Sequence, residues 1–240
     1  MKGINKIFLT TSITLIFFEL VFCAAYFRTS ASSDSLSRNS ETSNIQTVVI
    51  GDQIWMTENL NVTKFRNGEP IPVFTTFEEW SKFGSDKTPA CADFDNDPEI
   101  SKETGKLYNW YAVDDPRGLC PQGFRIPTEE DFSTLLSFVG GEEYNSEAAE
   151  KELIKGGGSG FDALFGGWCC MDYVDYEYED TSFFFINFSS NAAFWSSTET
   201  GKNDALNLDI GTTWRSDSWG AYLDPYSSKD LAFSVRCIKE

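Results

Sequence analysis

The sequence contains no histidine among its 240 residues. Histidine is the usual proton carrier near pH 7, so its absence excludes Ser-His-Asp and Cys-His catalytic arrangements. Paired carboxylates could hydrolyse glycosides, but the many acidic residues supply no distinctive pair. The cysteines form no Cys-x-x-Cys pair, which together with the missing histidine argues against a zinc site. We therefore expect a protein that is not an enzyme.

Basic residues are also scarce. The chain has 19 Lys and Arg against 37 Asp and Glu, which gives a net charge of −18. An acidic surface repels phosphate backbones, so nucleic acid is not an expected partner, and anionic membrane surfaces are disfavoured for the same reason. No repeat of fixed period is visible, which argues against a solenoid or a propeller. The acidic surface either serves solubility alone or attracts divalent cations.

A long apolar run occurs at the N-terminus, from Ile7 to Ala25, behind the basic residues Lys2 and Lys6. This layout is typical of a secretory signal. An acidic residue within the run, Glu19, disfavours a permanent membrane span. Residues 1–25 are therefore predicted to be a signal peptide or an N-terminal anchor. The protein is expected outside the cytoplasm, and any contact with a membrane would be made through this segment or through a lipid.

Cys23 leaves two interpretations of the signal open. The stretch Leu20-Val21-Phe22-Cys23 is similar to a bacterial lipoprotein box, in which the cysteine becomes the acylated N-terminus, although Phe22 stands where the box has a small residue. The other interpretation is ordinary cleavage after Ala25. Residues 26–44 are mostly small and polar and cannot bury enough apolar surface to offset the entropy of ordering, so a flexible tether is predicted there.

The domain that follows, residues 45–240, is predicted to belong to the α+β class. Thr47–Ile50 and Gln53–Met56 flank a Gly-Asp turn and indicate a β-hairpin. Thr128 is a predicted N-cap of an amphipathic helix that ends at a Gly-Gly pair, and Ser146–Lys155 is a second candidate helix. Short apolar runs then predict strands; they are Phe183–Ile186, Ala193–Trp195, Ala205–Leu208 and Phe233–Cys237.

Five short stretches of the domain are considered together and are called the five motifs. They are Trp55–Leu60, Gly105–Tyr111, Cys120–Pro127, Phe194–Glu199 and Ser234–Cys237. In this order they resemble the Fibrobacter succinogenes major paralogous domain, a bacterial family. The resemblance implies an exported, often lipid-anchored protein with a divergent C-type lectin-like fold. In that fold, two helices flank a small antiparallel sheet, and a long irregular loop region carries function. The resemblance implies no known active site.

The cysteines after Cys23 are odd in number, so at least one is free, reduced or paired outside the chain. Exported cysteines are disulfide candidates first. The resemblance implies a disulfide between Cys120 and Cys237, because the main disulfide of lectin-like domains ties the same parts of the fold. For the adjacent pair Cys169-Cys170, a bridge within the pair and a bridge from one of them to Cys91 both stay open.

An acidic stretch carries carboxylates at alternating positions, Asp93, Asp95, Asp97 and Glu99. Alternating oxygen donors in a loop can wrap calcium, although the spacing of an EF-hand is incomplete. The stretch is therefore a candidate calcium site, and a solvated acidic turn is the alternative.

Aromatic residues in the region between Cys170 and Tyr226 are the candidate ligand-binding residues. Tyr176 and Tyr178 alternate with acids, a composition that suits a sugar site. Trp214 and Trp219 are flanked by small and charged residues and are expected on an exposed loop. Together these features predict a non-catalytic cell-envelope protein that binds glycan or a surface protein. The alternative is a structural envelope protein with no small ligand, in which all four aromatic side chains would be buried.

Overall fold

The computed structural model describes residues 45–141, 145–174, 181–186, 188–213 and 216–240. Their helices are α1 (Phe77–Ser85), α2 (Pro98–Thr104), α3 (Trp110–Val113), α4 (Glu129–Phe138) and α5 (Glu147–Leu153). Their strands are β1 (Thr47–Ile50), β2 (Gln53–Met56), β3 (Cys91–Ala92), β4 (Leu107–Asn109), β5 (Phe124–Arg125), β6 (Trp168–Val174), β7 (Thr181–Ile186), β8 (Asn191–Glu199), β9 (Asp204–Thr213), β10 (Ser216–Ser228), β11 (Ala232–Phe233) and β12 (Ile238–Lys239). The strands pair antiparallel, so the predicted α+β class is confirmed.

The first sheet joins the two ends of the domain in the order β1-β2-β12-β5. β1 and β2 form the predicted hairpin, with Ile50 paired to Gln53 across the turn. β12 lies between β2 and β5, where Ile238 pairs with both Trp55 and Arg125. The last strand therefore holds the first hairpin in place.

Two further sheets contain the remaining strands of the described residues. One has the order β10-β9-β8, and the other has the order β3-β4-β11-β6-β7. β9 and β10 are long strands whose register runs from Asp204 opposite Ser228 to Thr213 opposite Ser216. A long irregular loop region was expected here. The described residues between Cys170 and Tyr226 are instead largely extended strands, so that expectation is wrong for them.

Helix α4 follows the predicted local signals. The Thr128 hydroxyl accepts the Asp131 N–H, and the Asp131 carboxylate accepts the Thr128 N–H in return, which forms a capping box. The helix ends at Phe138, and Gly140 has a φ of 85°, a conformation that glycine adopts without strain. The second predicted helix is shorter than expected, since α5 ends at Leu153.

The main core lies where α4, α5 and the first hairpin meet the β8–β9 face. The Trp55 ring stacks on Phe132 at 5.6 Å and meets Phe161 edge-on at 5.6 Å. Leu208 is fully buried in the same cluster. A second core around β3, β4 and β11 contains Phe74, Trp80, Phe94 and Leu107, among others. No helix in the described ranges is both long and apolar enough to cross a membrane.

The predicted strand Phe233–Cys237 is wrong over its last three residues. Residues 235–237 are not in a strand, and the chain resumes pairing only at Ile238. In this segment the Leu60 N–H bonds to the Val235 carbonyl and the Met56 N–H bonds to the Cys237 carbonyl. The segment therefore runs beside the end of the first motif, and the Arg236 side chain is buried in the core.

Candidate functional site

Four polar side chains share one face of the β8–β9–β10 sheet; they are Asn191, Asn207, Asp209 and Asp224, hereafter the polar cluster. Successive residues of a strand point to opposite faces. In β9, Leu206, Leu208 and Ile210 point into the main core, so Asn207 and Asp209 point the other way. Asp224 stands directly across from Asn207, which places its side chain on the same face.

Three side chains of the polar cluster contact one another, and the fourth, Asp224, accepts the Tyr226 N–H on Oδ1 at 2.9 Å. The Asn207 Nδ2 group donates to Asp209 Oδ2 at 3.1 Å, and the Asn191 Nδ2 group donates to Asp209 Oδ1 at 3.3 Å. Asn191 is 1% exposed, Asn207 0% and Asp224 3%, whereas Asp209 is half-buried. The Asp209 carboxylate therefore has an amide donor on each of its two oxygens, within a covered polar site.

Burial raises the pKa of Asp209 to about 6. The amide groups of Asn207 and Asn191 oppose this rise because they donate hydrogen bonds to the carboxylate. The negative charge of Asp224 raises the pKa further, and the Tyr222 hydroxyl lowers it. The two acids of the cluster are therefore close enough to repel each other.

Two acceptor oxygens in the cluster are buried without a partner. Asn191 Oδ1 and Asn207 Oδ1 accept no hydrogen bond from the described part of the chain. Most buried polar atoms in proteins have a partner, because an unpaired one costs roughly 1–3 kcal/mol. Two such oxygens beside two carboxylates form a site rich in acceptors and poor in donors.

The five motifs meet inside the fold. Trp195 Nε1 donates to the Tyr108 carbonyl at 2.8 Å, and the Trp195 N–H bonds to the Ser234 carbonyl at 3.1 Å. Ser197 N–H bonds to the Pro127 carbonyl at 2.8 Å, which brings in a fourth motif. Asn59 of the first motif bonds to the Arg236 guanidinium. The motif residues thus stabilise the interior, and none of these contacts forms an open site.

The second motif begins at a glycine for a steric reason. Gly105 has a φ of 79°, and a Cβ atom there would lie 2.8 Å from the Leu60 carbonyl oxygen, closer than real Cβ contacts allow. The Lys106 N–H bonds to that same carbonyl at 3.0 Å. The glycine therefore lets the first two motifs pack backbone against backbone.

The sequence profile of the Fibrobacter succinogenes major domain matches residues 48–239. The chain belongs to this family. No curated protein and no solved structure shows significant similarity to the chain. The match covers the whole region in which the five motifs interlock, so the predicted family is confirmed.

In this Fibrobacter succinogenes major domain, carboxylates of the acidic stretch have separate partners and do not converge on one point. Asp93 forms an ion pair with the buried Lys106. Asp97 is the N-cap of α2, and Glu99 pairs with Lys102 at 2.5 Å. No group of three or more acids, cysteines or histidines placed to hold a metal occurs among the described residues. The geometry gives the predicted calcium site at Asp93, Asp95, Asp97 and Glu99 no support, and it stays an untested prediction.

The predicted aromatic ligand site falls largely outside the described residues of this major domain. Tyr176, Tyr178 and Trp214 lie outside them, as does Cys23. Trp219 is placed by its backbone in β10, opposite Thr212, and its side chain is not described. The exposure of the four aromatic side chains therefore stays a prediction.

The cysteines of the domain divide into bonded and free. The disulfide Cys120–Cys237, implied by the resemblance, is confirmed, with a Cα–Cα distance of 6.0 Å. Cys91 is free and buried, so the alternative in which it pairs with Cys169 or Cys170 is wrong. Cys169 is also disulfide-bonded.

The polar cluster is not among the site residues predicted from the sequence. The predicted strand ended at Leu208, one residue before Asp209, and the alternation of Leu206, Asn207, Leu208 and Asp209 is typical of a strand with one solvated face. A cue was present in Asn207 and Asp209, two hydrogen-bonding side chains spaced to lie on one face of a single strand.

Proposed function

We propose that this member of the Fibrobacter succinogenes major domain family is a non-catalytic, exported cell-envelope protein that binds glycan outside the cytoplasm. The disulfide Cys120–Cys237 supports export, because such bonds persist in oxidising compartments and are rare in the cytosol. The signal-like residues 1–25 and the lipoprotein-like Cys23 support the same location, either secreted or lipid-anchored.

The binding proposal rests on one observation: the aromatic residues of the motifs are buried, whereas a region without a motif has an exposed aromatic side chain. The motif aromatics Trp55, Tyr108 and Trp195 are fully buried and support the fold. Residues 200–233 contain no motif, yet they form the long strands β9 and β10. In β10 the Tyr226 side chain is 70% exposed. An exposed tyrosine has an apolar ring face and a polar hydroxyl, which together suit a sugar ring and its hydroxyl groups.

A divergent C-type lectin-like fold is part of this proposal. Two features support it: the first hairpin and the last strand pair with each other, and α4 and α5 flank the same core. Fold alone does not carry function, so lectin-type recognition is not assumed from this likeness.

The alternative is a structural envelope protein with no small ligand. The burial of the motif aromatics is compatible with both proposals, because those residues serve folding in either case. The two proposals differ in what they expect of exposed aromatic side chains in the β6–β10 region. Only the binding proposal requires them to contact another molecule.

A glycan array probed with the purified protein, with and without calcium, tests the proposal. We expect binding to a defined set of glycans, and we expect Tyr226→Ala to weaken it. Phe138→Ala is the matched control, because the Phe138 side chain is also exposed, at 62%, but lies on α4. Silence across the array, or equal losses in both variants, would contradict glycan binding through this region and favour the structural alternative.

A further inference from the structure

We propose that the polar cluster of Asn191, Asn207, Asp209 and Asp224 is a binding site for a hard divalent cation of the calcium class. The proposal does not depend on glycan binding, since the site lies on a covered face of the β8–β9–β10 sheet. It also differs in position from the acidic stretch near Asp93, whose carboxylate already pairs with Lys106.

The donor atoms of the cluster are of the kind that calcium selects. Calcium takes about six to eight oxygen ligands from carboxylates, side-chain amides, backbone carbonyls and water. Asp209 and Asp224 offer carboxylate oxygens, and Asn191 and Asn207 offer amide oxygens. Zinc and copper prefer nitrogen or sulfur ligands, and none of the four residues supplies sulfur or imidazole.

The unpartnered amide oxygens are the observation that points to a ligand. Asn191 Oδ1 and Asn207 Oδ1 are buried and accept no hydrogen bond, although each amide nitrogen contacts the Asp209 carboxylate. A half-turn of each carboxamide exchanges its oxygen and nitrogen. The half-turn would aim both oxygens at the space beside Asp209, where a cation would bond to them and to the carboxylate together.

Charge favours the same occupant. In the described part of the chain, Asp209 has two amide donors and no Lys or Arg partner. Asp224 lies near enough to repel it. A divalent cation between the two carboxylates would remove this repulsion and compensate for their burial.

Size separates a cation from a larger ligand. Asn191, Asn207 and Asp224 are between 0% and 3% exposed. A sugar or a peptide could not reach side chains covered to that extent, whereas an ion needs only to lie about 2.3–2.6 Å from its ligand oxygens. The cluster therefore suits a structural ion rather than a surface ligand.

Calcium titration of the full chain, first stripped with a chelator, tests the proposal. Binding is measured by calorimetry and by the shift in melting temperature, with magnesium as the comparison ion. Terbium luminescence gives a local readout, because the Tyr222 ring stands opposite Asp209 and can sensitise a bound lanthanide. We expect calcium to bind and to raise the melting temperature of the wild type.

Asp209→Asn removes one ligand charge with little change of shape, and we expect it to bind calcium at least about tenfold more weakly and to lose the melting shift. Asp224→Asn, measured in parallel, should show the same loss. Asp95→Asn is the matched control, because Asp95 is exposed and lies in the acidic stretch. The proposal is overturned if calcium does not bind, if both cluster variants keep the wild-type affinity, or if only Asp95→Asn loses it.

Discussion

Arg236 donates from both Nε and Nη2 to the same oxygen, Asn59 Oδ1, at 3.1 and 2.5 Å, although the two residues are 177 positions apart. Arg236 is fully buried, and its remaining hydrogen bonds go to the carbonyls of Phe161 and Asp162. The guanidinium also lies 4.5 Å from the centre of the Phe161 ring. Burial lowers the pKa of Arg236 to about 9. Neutral oxygens and a ring face therefore make the direct contacts with this charge, and the carboxylates of Asp162 and Glu58 act on it electrostatically.

Removal of the Asn59 side chain should be costly. Asn59→Ala leaves two guanidinium donors of Arg236 without an acceptor in a buried site, so we expect the free energy of unfolding to fall by about 3–5 kcal/mol. Asn61→Ala is the control, since Asn61 is exposed and donates one bond to the Ser101 carbonyl at 2.8 Å. It should cost less than about 1 kcal/mol in urea unfolding. Similar costs for the two variants would show that Asn59 does not stabilise the buried charge.

The disulfide Cys120–Cys237 closes a long loop, because its cysteines are 117 positions apart in the sequence. The chain-entropy model gives a contribution of about 4–5 kcal/mol for such a loop. We expect the double variant Cys120→Ser, Cys237→Ser to lose stability of that order in denaturant titration of the purified protein. A loss below about 1 kcal/mol would mean that the covalent link adds little to the sheet pairing already made by β12.

Cys91 should not react with alkylating reagents while the protein is folded. Its side chain is fully buried, and burial raises the pKa of the thiol to about 12 despite the nearby Lys106. Thiolate is the reactive form, and almost none is present near pH 8. We expect iodoacetamide to label Cys91 only after denaturation, as read by peptide mass spectrometry. Rapid labelling of the native protein would show that this thiol is accessible.

Asp209 should make stability depend on pH when divalent cations are absent. Its pKa in the folded protein is about 6, above the value of about 3.9 in an unfolded chain, so the folded state binds the proton more tightly. The contribution of Asp209 is therefore fully present below about pH 4 and is lost as pH rises through about 6. The facing groups are Asp224, whose negative charge raises the pKa of Asp209 further, and Tyr222, whose hydroxyl lowers that pKa.

The test compares the wild type with Asp209→Asn in chelator, from pH 4 to pH 7. We expect the wild type to lose about 2 kcal/mol relative to the variant as pH rises over that range. Thermal unfolding at each pH measures the difference. Parallel stability curves for the two proteins would mean that the carboxylate is better solvated than its contacts indicate.

Local signals account for what the sequence could predict. One such signal is the Gly-Asp turn of the first hairpin. Another is the N-cap Thr128 of α4, which is followed by the acidic residues of the first helical turn. These features act within a few residues of each other, so they can be read without the fold. The Cys120–Cys237 bond spans the domain, and only the family resemblance implied it.

The rest depended on contacts between distant residues. Asp93 was predicted as a cation ligand from the sequence, but in the structure its carboxylate forms an ion pair with Lys106. The alternation in β9 is typical of a strand with one solvated face, yet three of the four side chains of the polar cluster on that face are buried. The final segment was predicted as a continuous strand, but in the structure Arg236 of this segment is buried and donates to Asn59. In each case the deciding partner lies elsewhere in the chain.

Mass spectrometry of the protein recovered from its own cells tests whether the domain is exported. We expect a chain that lacks the N-terminal signal, cut after Ala25 or acylated at Cys23, and a peptide pair joined through Cys120 and Cys237 without reduction. A full-length chain in the cytoplasmic fraction, with both of these cysteines reduced, would contradict it.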